Sequence, residues 1–199
     1  MSDSPLLFLD ANTLASPITR TLIIAGARAG GLRWTWSAQV EAEADRHTRG
    51  EAVPTSQVRT AILGMELSPT ARSTRGLKTT SREDRQVIAD AAQAKATYLI
   101  TTDVDDFAVE DLAAHDMSAV NPDYFMALRF SVQIYREAVA LIASVQKNPP
   151  RTEGEVHRML GRRHPYLSAR FADVYDTTPV PADADQPTVR FRGVVGSVR

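Results

Sequence analysis

An α/β fold is expected from three observations. The apolar run Leu6-Leu7-Phe8-Leu9 stops at an aspartate, as a parallel strand buried on both faces does where it leaves its sheet. A second run, Tyr98-Leu99-Ile100-Thr101, is followed by Asp103 and Asp106. Stretches of helical period lie around them, so strands and helices alternate.

The first strand is expected to pass into a loop at Asp10-Ala11-Asn12-Thr13. Ser16-Pro17 then pairs as a helix start. Ile18, Leu22, Ala25 and Ala29 keep helical spacing until Gly30-Gly31 stops the run, with Gly26 as a weak point inside it. Residues 32–36 alternate like a short strand, and Ser37 can cap a helix over 38–49. A further helix is predicted over 56–67. Residues 68–80 have no period and read as a loop. A helix over 82–94 leads into the strand at 97–101, and residues 117–120 form another strand that ends at Asn121-Pro122. The aromatic segment 123–130 precedes an amphipathic helix over 131–147 carrying Val132, Tyr135, Val139, Leu141, Ile142 and Val145. Asn148-Pro149-Pro150 punctuates the chain. Beyond it, Thr152-x-x-Glu155 is a capping box opening a helix over 152–162. The tail 177–199, with three prolines, is expected to be extended or disordered. Two parts follow: residues 1–147, and a helical extension with a flexible tail over 148–199.

Composition narrows the chemistry. The chain has 199 residues, 43% hydrophobic and 24% charged, as in ordinary globular proteins. With 23 basic against 24 acidic residues, net charge does not advertise nucleic-acid binding, and such a partner needs a local basic face. The absence of cysteine excludes disulfides and thiolate chemistry. The four histidines lack zinc-hydrolase spacing, and neither a membrane span nor a basic leader segment is evident. A cytoplasmic protein is expected.

The acids carry the functional signal. Carboxylates beyond the C-terminal ends of parallel strands sit where α/β folds place chemistry, and clustered hard oxygen ligands suit Mg²⁺ or Mn²⁺. Asp10 alone is more readily read as a residue that turns a loop or caps a helix. Glu41 and Glu43 cannot face the same way at about 100° per residue. Glu43 is the better placed to look along the core edge, although a solvated Glu43 paired with His47 fits nearly as well. Asp84 points with Val87 and Ile88, or else satisfies the free N–H groups of a helix start. Asp90 is the weaker candidate on that helix. Asp103, Asp105 and Asp106 would repel one another unless solvated or bound to a cation, and Phe107 suggests a loop folded back onto the core. A phosphatase that begins with strand and Asp needs a second Asp two residues on, where Asn12 stands.

Together these residues resemble the PIN-domain family, and within it the VapC-type toxins of toxin–antitoxin pairs. Leu9-Asp10-Ala11-Asn12 is similar to its opening D-x-N, and Ser37 to Glu43 to its S-x(5)-E. Asp84-Arg85-x-x-Ile88-Ala89-x-Ala91 is similar to its D-R-x-x-x-A helix, and Thr101-x-Asp103-x-x-Asp106-Phe107 to its T-x-[DN]-x-x-D-F. The four motifs come in order within residues 5–130.

The resemblance implies a three-layer αβα sandwich with a short parallel sheet, and a single-strand-directed endoribonuclease using Mg²⁺ or Mn²⁺. Asp10, Glu43, Asp84 and Asp103 would be its catalytic quartet. Asp10, Asp84, Asp103 and Asp106 would be metal ligands, with Asn12, Thr13 and Thr101 in support. Arg72, Arg75, Lys78, Arg82 and Arg85, with Arg46 and Arg49, are candidate phosphate contacts, and the loop 68–80 the candidate substrate segment. Implied partners are RNA, a cognate antitoxin docked on the helices at 18–29 and 56–67, and a second copy in a homodimer, with no membrane. An antitoxin-binding protein with weak or lost catalysis is the alternative, and a metal phosphatase is a third.

Overall fold

The computed structural model describes residues 4–50, 52–178 and 189–190. They fall into two compact units: one holds the described parts of 1–17, 32–121 and 187–199, the other 18–31 and 122–186. The segments 18–31 and 122–147, expected with the first part, thus share a unit with 148–178.

The first unit is built on a sheet. Strands β1 (Leu6–Leu9), β2 (Arg33–Thr35), β3 (Tyr98–Ile100) and β4 (Ser118–Val120) are parallel and lie in the order β2-β1-β3-β4; β5 (Val189–Arg190) adds antiparallel to β4. Leu7, Phe8, Leu9, Leu99, Ile100 and Ala119 are inaccessible to solvent, which is why these strands read as unbroken apolar runs rather than alternating ones. The chain leaves β1 toward β2 on one side and returns to β3 on the other. The crevice beyond the carboxyl ends of β1 and β3 is therefore the switch point at which open α/β sheets bind ligands.

Residues expected to be a loop after β1 form a short helix, α1 (Ala11–Ala15), because the Asp10 carboxylate accepts the Ala11 N–H at 2.7 Å and caps it. Helix α3 (Ala38–His47) starts at the Ser37 cap and buries Val40, Glu41 and Ala44. The expected helix over 56–67 is shorter: α4 (Thr55–Val58) runs into a π-turn over Arg59–Leu63 that stops at Gly64 in the left-handed region (φ 55°), a conformation glycine adopts without penalty. Helix α5 (Arg85–Gln93) begins three residues later than its sequence period suggested, since residues 82–84 form a turn. A 3₁₀ turn at Val104–Asp106 and helix α6 (Val109–Ala113) complete this unit, with Val104 and Phe107 buried, so that loop does fold onto the core.

The second unit is helical. It contains α2 (Pro17–Ala29) from Ile18 onward, α7 (Pro122–Arg129), α8 (Val132–Val145), α9 (Glu153–Leu160), α10 (Pro165–Arg170) and a 3₁₀ turn at Ala172–Val174. Gly26 is required in α2: a Cβ there would lie 1.9 Å from the Phe130 ring. Tyr135 stacks on Phe171 with centroids 4.4 Å apart, and its hydroxyl meets His157 Nδ1 at 2.8 Å. The capping box at Thr152 and Glu155 is formed. Helix α10 has no counterpart in the sequence expectations; six residues after a proline carry too little period to be seen. Of the expected flexible tail, residues 179–188 and 191–199 lie outside the described residues. Among the described residues no helix is long and apolar enough to cross a membrane.

Candidate active site

Parallel pairing places the first two acids. Leu9 is registered with Ile100, so Asp10 and Thr101, one residue on, emerge side by side at the switch point. The Thr101 hydroxyl is fully buried and uses all its capacity: it donates to Asp10 Oδ2 (2.9 Å) and accepts from the Asp103 N–H (3.1 Å) and Asn12 Nδ2 (2.9 Å). The Asn12 amide spans the two loops. Its oxygen accepts the Thr102 N–H at 3.1 Å and its nitrogen donates to Asp103 Oδ2 at 2.9 Å. An aspartate at position 12 has no donor for that second bond, a physical reason for asparagine here. Thr13 donates to the Ile100 carbonyl at 3.0 Å and ties α1 to β3.

Asp10 is buried, and its carboxyl is pushed up to about 6, first by desolvation and further by the negative charges of Glu43 and Asp103, against the hydrogen bonds from Thr101 and Ala11. Asp106, on the exposed turn, is also raised: partial desolvation comes first, then the charges of Asp84, Asp103 and Asp105. Two overlapping groups of like charge result, Asp10–Glu43–Asp103 and Asp106–Asp84–Asp103–Asp105. Asp84 does not cap α5 with its side chain; its carboxylate accepts the Ser81 hydroxyl at 2.6 Å instead.

Glu41 and Glu43 separate clearly. Glu41 is buried, accepts the Trp36 indole N–H at 3.0 Å, and is gripped by Arg59 at 2.6 and 3.2 Å. Its oxygens are committed to holding the π-turn against α3. Glu43 is the one whose charge reaches Asp10.

Two further carboxylates are structural: Asp111, which the sequence reading does not single out, and Asp90, which it holds the weaker candidate on its helix. Asp111 accepts the backbone N–H groups of Lys78, Thr79 and Thr80 at 3.0, 3.0 and 2.7 Å. Asp90 is completely buried and accepts the Ala71 N–H (2.8 Å) and Gln86 (2.7 Å). Both anchor the loop 68–80. Arg85 anchors it too, donating to the carbonyls of Thr80 and Lys78 at 2.8 and 2.7 Å, and this removes it from the free phosphate contacts. Arg72, Arg75, Lys78 and Arg82 are exposed, as are Arg46 and Arg49. The sequence reading puts Asp90 on the flank of its helix and gives no hint of the anchoring; nothing local links Asp111 to a loop some thirty residues earlier.

Among the described residues no three carboxylate or histidine side chains lie close enough together to enclose a cation as they stand. The donor chemistry suits a hard divalent ion all the same. The facing groups are all oxygen; Asp10 and Asp106 are raised first by desolvation and then by like charge, and the like charge is what a cation relieves. Comparison with family models, with curated proteins and with solved structures finds no match.

Proposed function

We propose that this chain is a metal-dependent endoribonuclease of the PIN type, a toxin of a toxin–antitoxin pair, with its sheet at the centre of a three-layer αβα sandwich. The observation that carries this reading is the crowding of Asp10, Glu43 and Asp103 at the carboxyl ends of β1 and β3, with Asp84 and Asp106 acting on the same neighbourhood. The ordered PIN-like motifs supply the same residues independently. Asp10, Glu43, Asp84 and Asp103, with Asp106 beside them, would hold Mg²⁺ or Mn²⁺, which would supply an activated water and stabilise charge on the scissile phosphate. Thr101 fixes the Asp10 carboxylate, Asn12 holds Asp103, and Thr13 keeps α1 in place. The exposed Arg72, Arg75, Lys78 and Arg82 are positioned to neutralise flanking phosphates on a loop whose backbone is already ordered. A cognate antitoxin protein, a homodimer and a cytoplasmic setting belong to the same proposal.

The test is incubation of purified protein with structured and unstructured RNA in EDTA, Mg²⁺ or Mn²⁺, beside Asp10→Ala and Asp103→Ala. Metal-dependent cleavage by wild type, lost in both variants, is expected. A folded wild-type protein that cuts no RNA at any metal would overturn the nuclease reading and favour a docking protein.

A further inference from the structure

The two prolines that follow α8 and the residues of α9 enclose a cleft of about 700 Å³, wholly within the helical unit. Three of its lining side chains are arginines: Arg151, Arg158 and Arg162. Arg158 and Arg162 are exposed, and among the described residues neither guanidinium has a hydrogen bond or ion pair. Arg158 lies on α9 and Arg162 in the turn that follows it. Arg151 donates from Nη1 to Met159 Sδ at 3.0 Å.

The single acid in the cleft does not cancel this charge. Glu155 is turned back into the helix cap, accepting the Thr152 N–H at 2.8 Å and its hydroxyl at 3.0 Å. It offsets at most one of three positive charges. The sequence around the cleft is locally basic in a chain of net charge −1: from Lys147 to Arg170 there are six lysines and arginines and two glutamates. Isolated surface arginines are ordinary, but here three line one cleft against a single glutamate, Glu155, whose charge acts on Arg158 and Arg151, and like charges left in excess repel.

We propose that this cleft binds a single RNA strand by its phosphodiesters. The inference rests on the nuclease reading for its choice of RNA among polyanions. Guanidinium forks match phosphate oxygens bidentately, and the volume lies within the range that takes a nucleotide-sized ligand. Pro149, Pro150 and Met159 supply the apolar part of the lining.

The experiment is fluorescence anisotropy of a labelled oligouridylate, about twelve nucleotides long so that it spans several contacts, titrated with the full chain in EDTA over a range of salt. EDTA removes cleavage from the readout, so failure of the nuclease reading and failure of this one are seen separately. Arg158→Glu with Arg162→Glu is expected to weaken binding about tenfold or more and to reduce the salt slope by about 1.4. The lysine pair Arg158→Lys with Arg162→Lys retains most of the affinity. Arg158→Gln with Arg162→Gln replaces the reversal pair if its circular dichroism shows a folding defect. Unchanged affinity and slope in a folded variant, or no binding by wild type, overturns the proposal. So does oligoglutamate of equal length displacing the RNA as effectively as unlabelled oligouridylate, a result that assigns the cleft to an acidic protein segment.

Discussion

Asp10 and Asp111 are both buried aspartates in the sheet-bearing unit, and their surroundings are opposite. Asp111 receives three backbone N–H groups, which hold its carboxyl below the ordinary range although burial works against them. Asp10 receives one N–H and one hydroxyl, too little to offset its burial, and the charges of Glu43 and Asp103 add to that desolvation, so its carboxyl rises to about 6. A buried acid that the chain has fully satisfied is architecture. One left short of donors and set beside its own kind is a candidate for chemistry, because only an outside partner completes it.

The contrast breaks most visibly if Asp103→Ala leaves cleavage intact. Its expected effect is a loss of about 10³-fold in kcat, on the scale of removing a charge-stabilising group, with a urea midpoint equal to wild type. Asp111→Ala should do the reverse. Three loop N–H groups lose their acceptor, and urea unfolding should show a loss of about 3 kcal/mol.

Asp123, in the helical unit, is an intermediate case. It accepts the Tyr166 and Leu167 N–H groups at 2.9 and 2.8 Å, yet desolvation pushes it up to about 6. His164 Nδ1 lies 4.0 Å from it, too far to hydrogen-bond, while Nε2 meets the Thr19 hydroxyl at 3.1 Å. Burial, then the Arg163 charge, lowers His164 to about 4. An ion pair would charge both groups; at that separation burial wins, and both are neutral between about pH 4 and 6. The raised Asp123 contributes stability that is lost as pH rises from 3.8 to about 6, and the depressed His164 contributes stability that is lost as pH falls from 6.5 to about 4. The two slopes oppose each other in the shared window. Asp123→Asn should uncover the histidine alone, seen as a fall in stability between pH 6.5 and 4 on the order of 3 kcal/mol; thermal melts across that range would show it.

Two smaller effects sharpen the comparison at the site. Asn12→Ala frees Asp103, and Mn²⁺ titration should show affinity lower by about 10- to 100-fold, the usual cost of losing a group that orients a ligand. Asp10→Asn removes a crowded charge, so the metal-free protein should gain about 1 kcal/mol at neutral pH while cleavage is lost. A loss of stability instead would mean that the crowding around Asp10 is not costly.

Much of this was legible beforehand because it depends on short-range pattern. The apolar runs at β1 and β3 gave their own positions, and the acids that end them landed at the switch point. Ser37 and the Thr152–Glu155 box capped their helices as read. What stayed hidden depends on partners distant in sequence. No periodicity reveals that Glu41 is claimed by Trp36 and Arg59, that Arg85 serves loop carbonyls, or that Asp90 and Asp111 hold residues 71–80. The helix expected over 56–67 failed at Gly64, where a left-handed residue stops a run whose apolar spacing continued. Asp10 as cap and Asp10 as site acid were posed as alternatives, and one carboxylate does the first while facing the charges that motivate the second.

The grip of Asp111 on three consecutive amides has a consequence in time. Lys78, Thr79 and Thr80 lie in a segment without regular structure, where exchange of amide hydrogens with solvent is ordinarily fast. Bonded to one buried carboxylate, they can exchange only when α6 and the loop separate, so all three should be released together and as slowly as the hydrogens of a helix.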